Sequence, residues 1–307
     1  MLLTLLLAQT TVTWLAHFDE PTLHYVDDTS FALADGRHVE IRGVDGAVKK
    51  TYNLKEGETA VGFLDANRVI TSSGERTFRI SKRETDKTDF DAWATTGWHY
   101  YYEHGSYLQV HSPFLLIESE YGQDICRPVN LQDQFCISPS GKKLIVIDNY
   151  AEGATLTVRD LTKPGVPRVE RPKKLWSHKG RRLIMLLPQS CSLVAYSDSQ
   201  LIGFCYIVAF PEGTNFPPEE IAKVPTALPP GVVANHFVEG LCTINVRTGD
   251  ARLLARLDPN AGRSEYEGPM FDSDNVRRRD LVALPRAHRV FMLWNGSLYV
   301  VRLPEQG

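Results

Sequence analysis

Residues 135–161, FCISPSGKKLIVIDNYAEGATLTVRDL, restrict the fold of this chain more than any other stretch. Ser138-Pro139-Ser140-Gly141 reads as a tight turn, because Pro presets φ and Gly accepts the positive φ that such turns often need. Lys142-Lys143 leads into Leu144-Ile145-Val146-Ile147, an apolar run too short for a helix and rich in β-branched residues, as a strand covered on both faces should be. Residues 148–153 turn the chain, and Thr155-Leu156-Thr157-Val158-Arg159 alternates as a second strand. The phrase predicts antiparallel β-structure with no helix between its strands.

A phrase of this kind gains weight when it recurs. Residues 139–147 align without gaps on residues 178–186 (HKGRRLIML) and on residues 285–293 (PRAHRVFML), each a turn, two basic residues and an apolar run. Looser copies precede Val39, at Asp35-Gly36, and Phe78, at Ser73-Gly74. Gly36, Gly74, Gly141, Gly180 and Ala287 are separated by roughly one, two, one and three steps of about 36 residues, the range of radial and solenoid repeats.

The residues ISPSGKKLIVI, a turn and LTVRDL resemble the blade repeats of WD40-like and TolB-type β-propellers, in which a Ser-Pro-Asp/Ser-Gly turn precedes a strand of each four-stranded blade. The likeness is clearest over residues 134–161 and fainter over 175–188 and 281–303. It implies an all-β propeller, expected here with seven blades and with six or eight as the neighbouring counts. A strand at residues 11–18, paired with residues 291–303, would close the ring and remove a free edge. Propellers host unrelated activities, so the resemblance implies a fold and leaves function open.

Composition agrees with one sizeable domain over residues 11–307: 43% of 307 residues are hydrophobic and 23% charged. The net charge of -3 gives no general attraction to nucleic acid. Residues 1–8, MLLTLLLA, read either as the core of a secretory signal or as a buried N-terminal strand; the first places the protein outside the cytoplasm, the second within it. The run is too short to span a membrane. Cys126, Cys136, Cys191, Cys205 and Cys242 lack zinc-ligand spacing, and they read as small apolar strand residues or as hairpin disulfides, Cys126 with Cys136 and Cys191 with Cys205.

Two stretches are candidates for recognition. Trp93, Trp98, Tyr100 and Tyr102 lie in the most aromatic segment and would offer flat faces to a sugar ring or a partner's side chains, or else pack between blades. Arg277, Arg278 and Arg279 form a dense positive run that, with Lys142, Lys143, Arg181, Arg182, Arg286 and Arg289, would make one rim basic unless acids balance it. Residues 211–235 form a Pro-rich insertion outside the sheet. His99, His104 and His111 are spaced too irregularly to meet on one strand face, and Asp272-Ser273-Asp274-Asn275 lacks the further oxygens of an EF-hand, so neither a metal nor a cofactor is expected. Asn295-Gly296-Ser297 matches the glycosylation acceptor pattern.

No nucleophile elbow, Walker loop, HExxH or dinucleotide fingerprint is present. The expected function is a non-catalytic, monomeric module whose loops bind a protein, peptide or glycan. The alternative is a hydrolase or lyase with a site in the central channel, in the manner of lactonase-like propellers, with or without the help of a metal.

Overall fold

A computed structural model describes residues 11–19, 21–73, 77–81, 85–87, 99–111, 114–126, 134–150, 153–163, 173–174, 176–177, 182–186, 193–209, 237–256, 280–294 and 296–303. The described residues are almost wholly β. In chain order the strands are β1 (Thr11–His17), β2 (Pro21–Asp27), β3 (Ser30–Asp35), β4 (His38–Gly43), β5 (Val48–Asn53), β6 (Glu58–Asp65), β7 (Arg68–Ser73), β8 (Thr77–Ser81) and β9 (Thr85–Lys87). There follow β10 (His99–Glu103), β11 (Ser106–His111), β12 (Phe114–Ser119), β13 (Gly122–Cys126), β14 (Gln134–Ile137), β15 (Lys143–Tyr150), β16 (Gly153–Asp160), β17 (Lys173–Lys174), β18 (Trp176–Ser177) and β19 (Arg182–Leu186). The last are β20 (Leu193–Ser197), β21 (Gln200–Ala209), β22 (Phe237–Asn245), β23 (Asp250–Arg256), β24 (Leu281–Leu284), β25 (Arg289–Trp294) and β26 (Ser297–Arg302).

These strands form antiparallel meanders, β2 to β5, β6 to β9, β10 to β13 and β14 to β17, then a sheet containing β20 to β23, and last β24-β25-β26. We call them blades one to six. The first strands of the blades, β2, β6, β10, β14, β20 and β24, meet in a ring: β2 touches β6 and β24, β6 touches β10, and β20 touches β14 and β24. Between β10 and β14 the link is polar, the buried Glu103 accepting the Ile137 amide at 3.0 Å. The result is an all-β, propeller-like ring.

The sheets face one another across the joints between blades, and the two-residue period of a strand explains how each feeds two joints. In β3, Phe31 and Leu33 enter a cluster with Val282, Phe291 and Val300 of blade six, while Ala32 and Ala34 enter one with Ala60, Phe63 and Val69 of blade two. Phe31 and Phe291 stack at 4.0 Å between ring centroids and are fully buried. Cys136, Ile145 and Ile147 meet Ala195, Leu201 and Cys242 between blades four and five, and Tyr196, Ile202 and Phe204 meet Leu281, Val290 and Met292 between five and six.

The ring closes as expected from the sequence. β1 pairs antiparallel with β26, Thr13 opposite Val300 and Trp14 opposite Tyr299, so the N-terminal strand is the outermost strand of the last blade. Beyond β1 the Phe18 amide donates to the Gly296 carbonyl at 2.8 Å, and the Ser297 hydroxyl lies 3.1 Å from His17 Nδ1. Gly296 sits at φ 72, and a Cβ there would lie 2.7 Å from the Phe18 oxygen, so only glycine fits. Gly296 and Ser297, read above as part of a glycosylation acceptor, are thus engaged in closing the ring.

Three sequence expectations change. The described residues give six sheets where seven blades were expected: first strands begin at Pro21, Glu58, His99 and Gln134, near the expected step, but the next begin only at Leu193 and Leu281. The reason is that residues 183–186 do not found a blade of their own. They lie in β19, which pairs with β21 beyond the end of β20, while β18 joins β19 to β23 and brings that sheet to six strands. Residues 144–147 and 290–293, by contrast, both occupy second strands, β15 and β25. Second, the looser copy at Gly36 marks a different turn, since Gly36 lies between second and third strands whereas Gly141 lies between first and second; Gly74 lies outside the described residues. Third, Cys136 and Cys242 are buried free thiols, which removes the Cys126 to Cys136 pairing.

Candidate functional face

The turns after the first strand of each blade open on one face of the ring, together with the turns between third and fourth strands. Strand-terminal side chains build them. Asp27 Oδ1 accepts the Thr29 amide at 2.7 Å and Asp65 Oδ1 the Asn67 amide at 2.8 Å. Ser197 Oγ accepts the Ser199 amide, Asp45 that of Ala47, Asp160 that of Thr162 and Asn245 that of Arg247. Each is the same device, a short polar side chain that captures the amide two residues on and imitates a backbone turn.

Neighbouring turns are then joined to one another. Arg286 Nε lies 2.9 Å from Asp28 Oδ2, tying blade six to blade one. Tyr196 OH lies 3.4 Å from both the Pro285 oxygen and His288 Nδ1, tying five to six. Ser140 Oγ donates to Asp198 Oδ2 at 2.7 Å, and Lys143 Nζ donates to the Asp198 carbonyl, tying four to five. Glu103 ties three to four. Arg289 donates to the Val44 carbonyl, a second tie between six and one. His24 and Phe63 meet at 5.5 Å between blades one and two.

Tyr25 reaches past its neighbour: its ring lies 4.3 Å from that of His104 in blade three, and its hydroxyl donates to Asp28 Oδ1 at 3.0 Å. Burial, then the Asp28 hydrogen bond and the charges of Asp28 and Asp27, push the Tyr25 phenol far above its ordinary range. It stays protonated and acts as a donor. At Asp27 and Asp65 burial opposes ionisation, but hydrogen bonds from Thr29 and Ser30, and from Asn67 and Arg68, outweigh it and hold both carboxyls below the usual carboxylate value.

A pH dependence follows. A depressed folded-state value means that these two turns stabilise the fold above the ordinary carboxylate range, about pH 4, and that the contribution is lost as pH falls through the lower folded values. Thermal melts from neutral to acid pH are expected to show Tm dropping in that window. In Asp27→Asn with Asp65→Asn, which keeps the accepting oxygens, the drop should be shallower; an unchanged acid limb would remove both groups from the account.

Glu103 offers a sharper test. It is 3% exposed, and truncation leaves the buried Ile137 amide without its acceptor. Glu103→Ala is expected to cost about 1–3 kcal/mol of stability, and Glu103→Gln, which retains an accepting oxygen, clearly less. Equal losses from both, measured by denaturant titration, would show that the hydrogen bond to Ile137 is not what matters.

Of the residues singled out for recognition, Tyr100 lies in the first strand of blade three, opposite Gln109. Tyr102 is half-buried at the joint with blade two, where Gly62 lies against its Cβ and carbonyl, and burial raises its pKa. Trp93, Trp98, Arg277, Arg278 and Arg279 lie outside the described residues, as do residues 1–10, the Pro-rich insertion, Arg181 and residues 272–275. The rim read above as basic unless acids balance it carries such acids: Asp28 faces Arg286 and Asp65 faces Arg68 at 2.6 Å. His99 and His104 stand at opposite ends of β10 and its turn, as their spacing required. Among the described residues no three His, Cys, Asp or Glu side chains are grouped to hold a metal ion. The blade-to-blade ties were not legible in the sequence, although the strand-Asp/Ser/Asn-turn pattern that supports them was present in it.

No family model matches the chain. No curated protein matches it either. Among solved structures it is similar to a luciferin-regenerating enzyme, at 10% identity over 95% of this chain and 95% of that one, with a TM-score of 0.49. It is similar to a gluconolactonase from Xanthomonas campestris, at 12% identity over 96% of this chain and 90% of that one, TM-score 0.44. A protein of unknown function from Bacteroides caccae matches at 10% identity over 78% of this chain and 81% of that one, TM-score 0.41.

Proposed function

We propose that this chain is a non-catalytic binding module, a propeller-like ring that presents loops and outer strands to a protein, peptide or glycan. The observation that supports this reading is how the inner ring is used. β24 is buried throughout and β20 at every residue but its last, Ser197, and the polar groups of the turn face bond to one another across the joints. A framework tied in this way holds surface loops at fixed separations, and a rigid scaffold with variable loops is the common arrangement for recognition.

The proposed contacts are Trp93, Trp98 and Tyr100 for stacking and Arg277, Arg278 and Arg279 for acidic groups on the partner. The test screens the full chain against soluble oligosaccharides and a displayed peptide library, alongside lactone and ester substrates with and without divalent cations. Saturable binding that weakens about tenfold in Trp93→Ala with Trp98→Ala, with no turnover, is the expected result; tenfold corresponds to about 1.4 kcal/mol. Cation-dependent turnover would instead establish the channel-site hydrolase or lyase.

A further inference from the structure

We propose that β1 is a self-pairing edge through which two copies of this chain associate. β1 is the outermost strand of blade six, bonded to β26 on one side and to none of the described strands on the other. Most outer strands of the other blades carry charge: Lys49 and Lys50 in β5, Asp86 and Lys87 in β9, Asp124 in β13, Lys173 and Lys174 in β17. β23 carries Asp250, Arg252 and Arg256 and is also covered by β18. Charged side chains on an exposed edge, Lys above all, prevent it from pairing with another chain. β1, TVTWLAH, contains no Asp, Glu, Lys or Arg.

Two large hydrophobic side chains stand exposed on it instead. Val12 is 41% and Trp14 57% exposed; the other large hydrophobic exposed among the described residues is Val48. Val12 and Trp14 share one face of the strand, opposite Val301 and Tyr299 of β26.

A second copy of β1 is the occupant that fits, because the strand complements itself. With Thr13 opposite Thr13 of the second copy in antiparallel pairing, Val12 falls opposite Trp14 in both directions. Four apolar side chains then share one face, and pairs of an aromatic with a β-branched residue are among the favourable cross-strand contacts. The register irregularity between Trp14 and Ala16 limits the seam to about five residues. A seam this short buries less than the roughly 800 Å² per partner of a stable interface, so the dimer forms in the micromolar range or more weakly. Such a weak dimer differs from the monomer expected from the sequence.

Sedimentation of the full chain over about three decades of concentration, into the high micromolar, reads the association directly. The average mass is expected to rise from that of a 34.5 kDa monomer toward twice that value, and Trp14→Lys should weaken the rise at least tenfold. Register is read by oxidation: Thr13→Cys places two thiols across the two-fold axis and should give a covalent dimer. Val12→Cys places them on a diagonal of about 7–8 Å and should not. Thr13→Cys is mild, so this arm stands even if Trp14→Lys fails to fold. A mass independent of concentration, equal cross-linking by both cysteine variants, or binding at this edge only of an added apolar peptide would each overturn self-association.

Discussion

Replacing Phe291 by Ala is expected to lower the free energy of unfolding by about 3–5 kcal/mol, the largest single effect in this protein. Phe291 is fully buried in the second strand of the closing blade, stacked on Phe31 of blade one and surrounded by Leu23, Leu33, Leu284 and Leu298. Truncation removes the transfer free energy of the ring and leaves a cavity that two sheets, each fixed by its own ladders, can fill only in part. The position has a second consequence. Blade six is built from both ends of the described chain, so a cavity there loosens the joint that makes the ring circular. Phe31→Ala should cost a comparable amount, and the double variant should cost less than the sum by about 0.5–1.5 kcal/mol, the share of the aromatic pair itself. Denaturant titration of the four proteins supplies the cycle. A loss below about 1 kcal/mol in Phe291→Ala would mean that the joint is not packed as described.

Gly62→Val should cost about 3 kcal/mol, and this loss arises from crowding and not from a cavity. Gly62 lies in β6, the first strand of blade two, where a Cβ would stand 2.7 Å from the Tyr102 Cβ and 2.8 Å from the Tyr102 carbonyl oxygen. A side-chain end can swing away, but a carbonyl held in β10 cannot move without shifting its strand. Relief therefore requires blades two and three to separate. Gly62→Ala already meets this contact and should cost less than Val but well above the small gain in strand propensity. If Gly62→Ala were neutral or stabilising in thermal melts, the close approach of the two first strands would be wrong.

The sequence disclosed the strands well because their signals are local. Residues 144–147 and 155–159 read as successive strands and lie in β15 and β16, joined by the turn expected between them. The closing partnership of residues 11–18 with residues 291–303 came from a general requirement that a ring leave no raw edge. The described residues give six sheets, the lower neighbouring count, and not seven, for an equally physical reason. A turn with a glycine and an apolar run is what any hairpin needs, so the same phrase marks one hairpin position at Gly141, another at Gly36, and an added strand at β19. The candidate face was legible only as residue types. Ser140 and Asp198 are 58 positions apart, and Asp28 and Arg286 are further still; nothing local to either residue names its partner.

What the amino-acid order determined on its own is the all-β character, the hairpin of residues 144–159 with the turn before it, and the pairing of residues 11–18 with residues 291–303, because each depends on alternation, turn chemistry or the avoidance of an open edge. Tertiary structure alone decided the number of sheets among the described residues, which side of each strand faces which neighbour, and which polar groups join. Those outcomes depend on how far apart the sheets stand when their buried faces interlock, a distance set by all the blades together and encoded in no single stretch of chain.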